Sequence, residues 1–143
     1  MRPSAFWDAS ALVPLLVREP ATRRAIAAYN AYEVVVWWAT GVEISSAFAR
    51  LVRMKQLDAD DWNKARQQAK RLEDSWLVIQ PTEMARRRAI DAVEAHDLSA
   101  ADALQLAAAL EWCEDEPQGR IFLTLDQKLR GAALLSGFDV RMM

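Results

Sequence analysis

The stretch Ala100-Ala101-Asp102-Ala103-Leu104-Gln105-Leu106-Ala107-Ala108-Ala109-Leu110 decides how the rest of the chain must be arranged. Alanine and leucine lose little side-chain freedom in a helix, so the run is predicted helical. Its surface is apolar nearly all round, and such a helix has to be packed on more than one side. Asp102 and Gln105 interrupt the run three residues apart, on one face. A carboxylate in that setting needs a partner or a cation, because burying it unpaired is unfavourable. The plainer reading is a helix start, with Ser99 as N-cap and Asp102 near the positive end of the dipole. Both readings stand until the other acids are placed.

Around this helix the chain alternates between short apolar runs and helical patterns. Ser4-Ala5-Phe6-Trp7 reads as a buried strand that stops at Asp8. Ser10 is placed to cap a helix over residues 11–18, with Pro14 close to its first turn. Pro20 separates it from a helix over 21–32. Val34-Val35-Val36-Trp37-Trp38 is β-branched and aromatic, the pattern of a fully buried parallel strand. A helix over 42–55 and a charged amphipathic helix over 58–75 follow, predicted to form a hairpin. Residues 76–80 form a third strand, 83–95 a helix, and the alanine-rich helix runs on to about 114. Residues 121–124 form a fourth strand, 127–135 a last helix stopped by Gly137, and 138–141 a short final strand. This alternation predicts an α/β fold, a parallel sheet with right-handed crossovers and helices on both faces.

The 143 residues, 52% apolar and 27% charged, are expected to form a single domain over 1–143. No run approaches the roughly 20 apolar residues of a membrane span. The first apolar stretch contains Pro14 and follows Phe6-Trp7-Asp8, unlike a secretory signal. One cysteine, Cys113, excludes an intrachain disulfide and fits a reducing cytoplasm; on a helix it reads as a small core residue. Cys113 and the lone His96 cannot together make a closed zinc site. A net charge of −2 offers no overall basic field to nucleic acid, though a local basic patch remains open.

In a parallel α/β sheet the residues just beyond the strands' carboxyl ends gather along one edge, where ligands bind. Asp8 follows the first strand, Glu43 opens the helix after the second, and Asp126 follows the fourth. Asp102 opens the helix before the fourth strand and can point into the same crevice. Taken singly, each has a bland reading: Thr40-x-x-Glu43 matches a capping box, and Asp8 and Asp126 suit turns or N-caps. Jointly, carboxylates along one edge repel each other unless a cation sits among them. Oxygen ligands without His or Cys select a hard ion, Mg²⁺ or Mn²⁺.

The segments Phe6-Trp7-Asp8-Ala9-Ser10-Ala11-Leu12-Val13, Leu98-Ser99-Ala100-Ala101-Asp102-Ala103-Leu104-Gln105-Leu106-Ala107 and Leu123-Thr124-Leu125-Asp126, with Glu43 between them, resemble the PIN domain. In length and spacing the chain is most similar to VapC-type toxins of bacterial toxin–antitoxin modules. The resemblance implies a three-layer α/β/α domain with a central, mostly parallel sheet of four to five strands. It implies a magnesium-dependent endoribonuclease, usually a homodimer, neutralised by a small antitoxin whose tail occupies the acidic groove. Asp8, Glu43, Asp102 and Asp126 would be its catalytic and metal-binding quartet, with Ser10 and Thr124 as supporting polar groups. Two features depart from the pattern: Trp37-Trp38 stands where the family often has a small hydroxyl residue, and Pro14 lies in a helix beside the site.

Arg86-Arg87-Arg88 fans over about 200° of a helix and reads as a solvated face. Arg50 and Arg53, three apart on the helix of Glu43, are better aligned for substrate phosphates, though ordinary surface charge explains them equally well. Among six tryptophans, Trp62 lies on the charged helix and is the candidate for a dimer or antitoxin surface. His96, at a helix end, reads as structural. A phospho-receiver would want paired acids after the first strand, and a dehalogenase-type phosphatase a second acid where Ser10 stands. The remaining alternative is a catalytically silent α/β module whose acidic groove captures a basic peptide.

Overall fold

The computed structural model describes residues 1–142; Met143, the last residue of the expected domain span, lies outside them. In chain order the elements are β1 (Ser4–Trp7), α1 (Ala9–Leu16), α2 (Thr22–Ala31), β2 (Glu33–Trp37), α3 (Thr40–Arg53) and α4 (Ala59–Glu73). There follow β3 (Leu77–Ile79), α5 (Glu83–Ala95), α6 (Ala100–Trp112), β4 (Ile121–Leu123), α7 (Gln127–Ser136) and β5 (Asp139–Arg141). The five strands share one sheet in the order β3-β2-β1-β4-β5, and every pairing is parallel.

The central strands β2, β1 and β4 are short and mostly apolar because both faces of the sheet are covered there. Side chains alternate across a strand, so each of these strands feeds two cores. Phe6, Val35, Trp37 and Phe122 point to the side covered by α5, α6 and α7. Ala5, Trp7, Val34, Val36 and Leu123 point to the opposite side, against α1, α3 and α4. Phe6 pairs in register with Val35 and with Phe122, so the first core forms a cross-strand row at the middle of the sheet. At about 1.5–3 kcal/mol for each large apolar side chain fully buried, these two cores dominate the stability of the fold.

The alanine-rich helix is the inner element its composition requires. Ala103, Gln105, Leu106, Ala107, Ala108 and Ala109 of α6 are buried. Ala85, Ala89 and Ala92 of α5 join them in the same core, so two small-residue faces let these helices pack closely. Ser99 caps α6 as expected, its Oγ accepting the Asp102 N–H at 3.2 Å.

Two local expectations are corrected. Ser10 is not an N-cap: α1 starts earlier, at Ala9, with Asp8 in the cap position and no side-chain cap bond. Pro14 therefore lies inside α1, where it leaves the Ser10 carbonyl without its usual helical donor. The capping box at Thr40 and Glu43 does not form either, because α3 begins at Thr40 itself, with Ala39 as N-cap. Thr40 is fully buried, its hydroxyl turned toward α6 rather than toward its own helix end. Among the described residues no helix is long and apolar enough to cross a membrane.

Candidate active site

The strand order places β1 between β2 and β4: the chain runs outward from β1 through β2 to β3, then crosses to the other side of β1 for β4 and β5, so the connections after β1 and β4 run in opposite directions. Such a switch point opens a crevice beyond the strand ends. Asp8 stands there directly after β1, and its N–H donates to the Leu123 carbonyl at 3.2 Å, carrying the sheet's pairing up to the site. Its side chain is nearly closed off from solvent. Ser10 Oγ donates to Asp8 Oδ1 at 2.8 Å and accepts from the Leu125 N–H at 2.9 Å. Thr124, fully buried, accepts the Asp126 N–H on Oγ1 at 3.0 Å, and that oxygen lies 3.4 Å from Ser10 Oγ. The two hydroxyls thus tie the start of α1 to the turn after β4, as supporting groups around Asp8. Burial pushes the Asp8 carboxyl up to about 7; the Ser10 and Thr124 hydroxyls pull it down, and the Glu43 charge adds to the rise.

The other three acids arrive from helix starts. Glu43 lies in the first turn of α3, half-buried, with its Oε2 accepting from Gln105 Nε2 at 2.6 Å. Burial raises its carboxyl, the Gln105 bond lowers it, and the Asp102 charge raises it again. Asp102, in the first turn of α6, is raised by burial and then by Asp126, against the Ser99 bond and the Lys128 charge. Asp126 caps α7, its Oδ1 accepting the Leu129 N–H at 2.8 Å, so the plainer reading of this acid as a helix cap is met.

All four carboxylates line one cleft of about 540 Å³, together with Ser10, Ser46, Glu19 and Arg50. Their repulsion runs in sequence: Glu43 disfavours ionised Asp8, Asp102 disfavours Glu43, and Asp126 disfavours Asp102. This oxygen-only, mutually repelling set has the chemistry of a hard divalent-ion site. As placed, no three of the described His, Cys, Asp and Glu side chains form a group able to hold a metal ion. One or two direct carboxylates with several waters are the usual protein ligands of Mg²⁺, so a site of that kind does not require a group of three.

Other expected residues fall elsewhere. Arg50 lines the cleft and Arg53 does not. Trp37 is buried and Trp38 exposed, and both line a second cavity with Trp76 and Val42, so neither shapes the acidic cleft. Arg86 and Arg87 face solvent beside Glu83, whereas Arg88 is mostly covered and pairs with Asp115 at 2.7 Å. Trp62 is half-buried, with the Arg66 guanidinium 4.5 Å above its ring. His96 ends α5, and Cys113 is buried at the end of α6. Glu19, in the turn between α1 and α2, is a cleft acid that no pattern announces; burial raises it and the Arg50 charge opposes the rise. Gln105 stands out in the sequence as a polar break in an apolar run, but its contact with Glu43 depends on how α3 and α6 meet.

Fold and cleft define an α/β domain with an all-carboxylate site at the switch point of a parallel sheet. The sequence profile of the PIN domain matches residues 5–134, nearly the whole chain. The chain belongs to the PIN domain family, whose members are generally nucleases. No curated protein sequence matches it. Among solved structures it is similar to a toxin–antitoxin complex from Klebsiella pneumoniae (TM-score 0.62, 18% identity, covering 90% of this chain and 92% of that one). It is also similar to FitAcB from Neisseria gonorrhoeae (TM-score 0.65, 17% identity, 94% and 96% covered). A protein from Pyrobaculum aerophilum shares the fold as well (TM-score 0.64, 21% identity, 98% and 90% covered). At these identities the likeness is one of fold.

Proposed function

We propose that the protein is a magnesium-dependent endoribonuclease acting as the toxin of a type II toxin–antitoxin module. The observation that carries this reading is the cleft that brings Asp8, Glu43, Asp102 and Asp126 together, each of the first three carboxyls raised in part by the charge of the next. Asp8 and Asp102 would hold a divalent ion directly, Mg²⁺ or Mn²⁺, with Glu43 and Asp126 directly or through water. When bound, the ion neutralises phosphate charge and makes a nearby water more acidic. Ser10 and Thr124 keep the Asp8 carboxylate in place, and Arg50 meets a phosphate on the rim of the cleft. An acidic side chain of the cleft positions or deprotonates the attacking water. Attack on phosphorus in line breaks the bond to the 3′ oxygen, which takes a proton from solvent water, leaving a 5′-phosphate on one fragment and a 3′-hydroxyl on the other.

One of the similar structures, a toxin–antitoxin complex, supports a toxin role. The partner is then a small antitoxin whose basic tail neutralises the cleft, and the working form is a cytoplasmic homodimer. The test is RNA cleavage by purified protein with Mg²⁺, with chelator, and with Asp102→Asn. Cleavage lost on chelation and in the folded variant is expected, and sequencing RNA ends from expressing cells then identifies the target. Activity that survives chelation, or a fully active Asp102→Asn, refutes the assignment. Peptide or RNA binding without any cleavage makes the chain a binding module instead.

A further inference from the structure

We propose that Gln105 is a positioning residue: its side-chain amide fixes the Glu43 carboxylate so that one oxygen is presented to a divalent ion in the cleft. This rests on the metal-dependent reading above. Two pairs of residues, each three apart on its own helix, face each other across the junction of α3 and α6. Thr40 and Glu43 come from α3, Asp102 and Gln105 from α6. Gln105 spans the junction: one amide hydrogen goes to Glu43 Oε2 at 2.6 Å and the other to Thr40 Oγ1 at 3.1 Å. Two acceptors on one helix define both the position and the plane of the amide. Oε2 of Glu43 is thereby engaged, and Oε1 has no hydrogen-bond partner among the described residues.

The rest of the amide shows what this arrangement sacrifices. Gln105 is fully buried, and its carbonyl oxygen has no hydrogen-bond partner among the described residues. A buried acceptor left unpaired destabilises the folded state, so an apolar side chain of the same length would serve packing better. Turning the amide over does not help. It would set the carbonyl oxygen against a carboxylate oxygen and lose both donated bonds. The observed orientation uses the two donors on Glu43 and Thr40 and accepts the orphaned carbonyl. Groups that orient a metal's ligands without touching the metal commonly change its affinity about 10–100-fold when removed.

Gln105→Met, similar in length and without the amide, separates this role from a structural one. The measurements are the metal-free melting temperature and the Mn²⁺ dissociation constant by calorimetry, with Mn²⁺ as the probe. A positioning residue predicts Mn²⁺ binding weakened about 10-fold or more in a variant whose metal-free melting transition shows that it folds. Unchanged Mn²⁺ affinity in the folded variant overturns the proposal. If Gln105→Met does not fold, Thr40→Val frees one side of the amide; weaker Mn²⁺ binding then supports the role and unchanged binding refutes it. A wild-type chain that binds no Mn²⁺ overturns the metal reading itself and the role of Gln105 with it. That outcome is distinct from equal binding by wild type and variant.

Discussion

Replacing Asp8 by asparagine is expected to stabilise the metal-free protein while destroying its function. Burial raises the Asp8 carboxyl from 3.8 to about 7 in the folded chain. At about 1.4 kcal/mol per pH unit, that displacement corresponds to about 4 kcal/mol, an upper bound that relaxation and water entry bring to about 2 kcal/mol. The sign follows from proton binding. Between the two values the folded chain holds a proton that the unfolded chain has released, so stability is full below about 4 and falls as pH rises toward 7. Asparagine stays neutral, keeps an oxygen to accept from Ser10, and removes this pH dependence. Thermal melts in chelator should therefore coincide for wild type and Asp8→Asn at pH 4. By pH 7.5 the variant should melt higher by roughly 5–10 °C, a domain of this size shifting by about 3–5 °C per kcal/mol. Adding Mg²⁺ should raise the wild-type melting temperature and leave the variant unmoved, since only a chain that binds the ion is stabilised by it. A variant no more stable than wild type at pH 7.5, or a gap as large at pH 4 as at pH 7.5, refutes the reasoning.

Asp126 has two roles that substitution can separate. Asp126→Asn keeps the cap on Leu129 and removes the charge, so cleavage should fall while the melting temperature holds. Asp126→Ala should lose activity and also about 1 kcal/mol of stability, read by urea denaturation. Arg50→Ala should weaken RNA binding by an inactive Asp102→Asn background and reduce the slope of log affinity against log salt by about one, with a smaller effect from Arg53→Ala.

Much of this protein is written in local pattern. Val34-Val35-Val36 and Phe6-Trp7 are apolar on consecutive residues because both faces of a parallel sheet are buried, and that pattern identifies strands without any knowledge of their neighbours. The alanine-rich run from Ala100 signals an inner helix for the same reason, and the placement of Asp8 and Asp126 after strands follows once the alternation is recognised. What the tertiary structure decided is which polar group meets which. Thr40 and Ser10 look like helix caps because a hydroxyl three residues ahead of an acid, or after a turn, is locally sufficient for capping. The fold takes both for other partners: Thr40 for Gln105, and Ser10 for Asp8 and the Leu125 N–H. Glu19 enters the cleft only because the turn after α1 brings it there. The raised Asp8 carboxyl has a like cause, since desolvation depends on every layer around a side chain. Sequence periodicity reports a residue's own helix or strand. Burial, and hydrogen bonds between α3 and α6, arise only where elements distant in the chain are packed together.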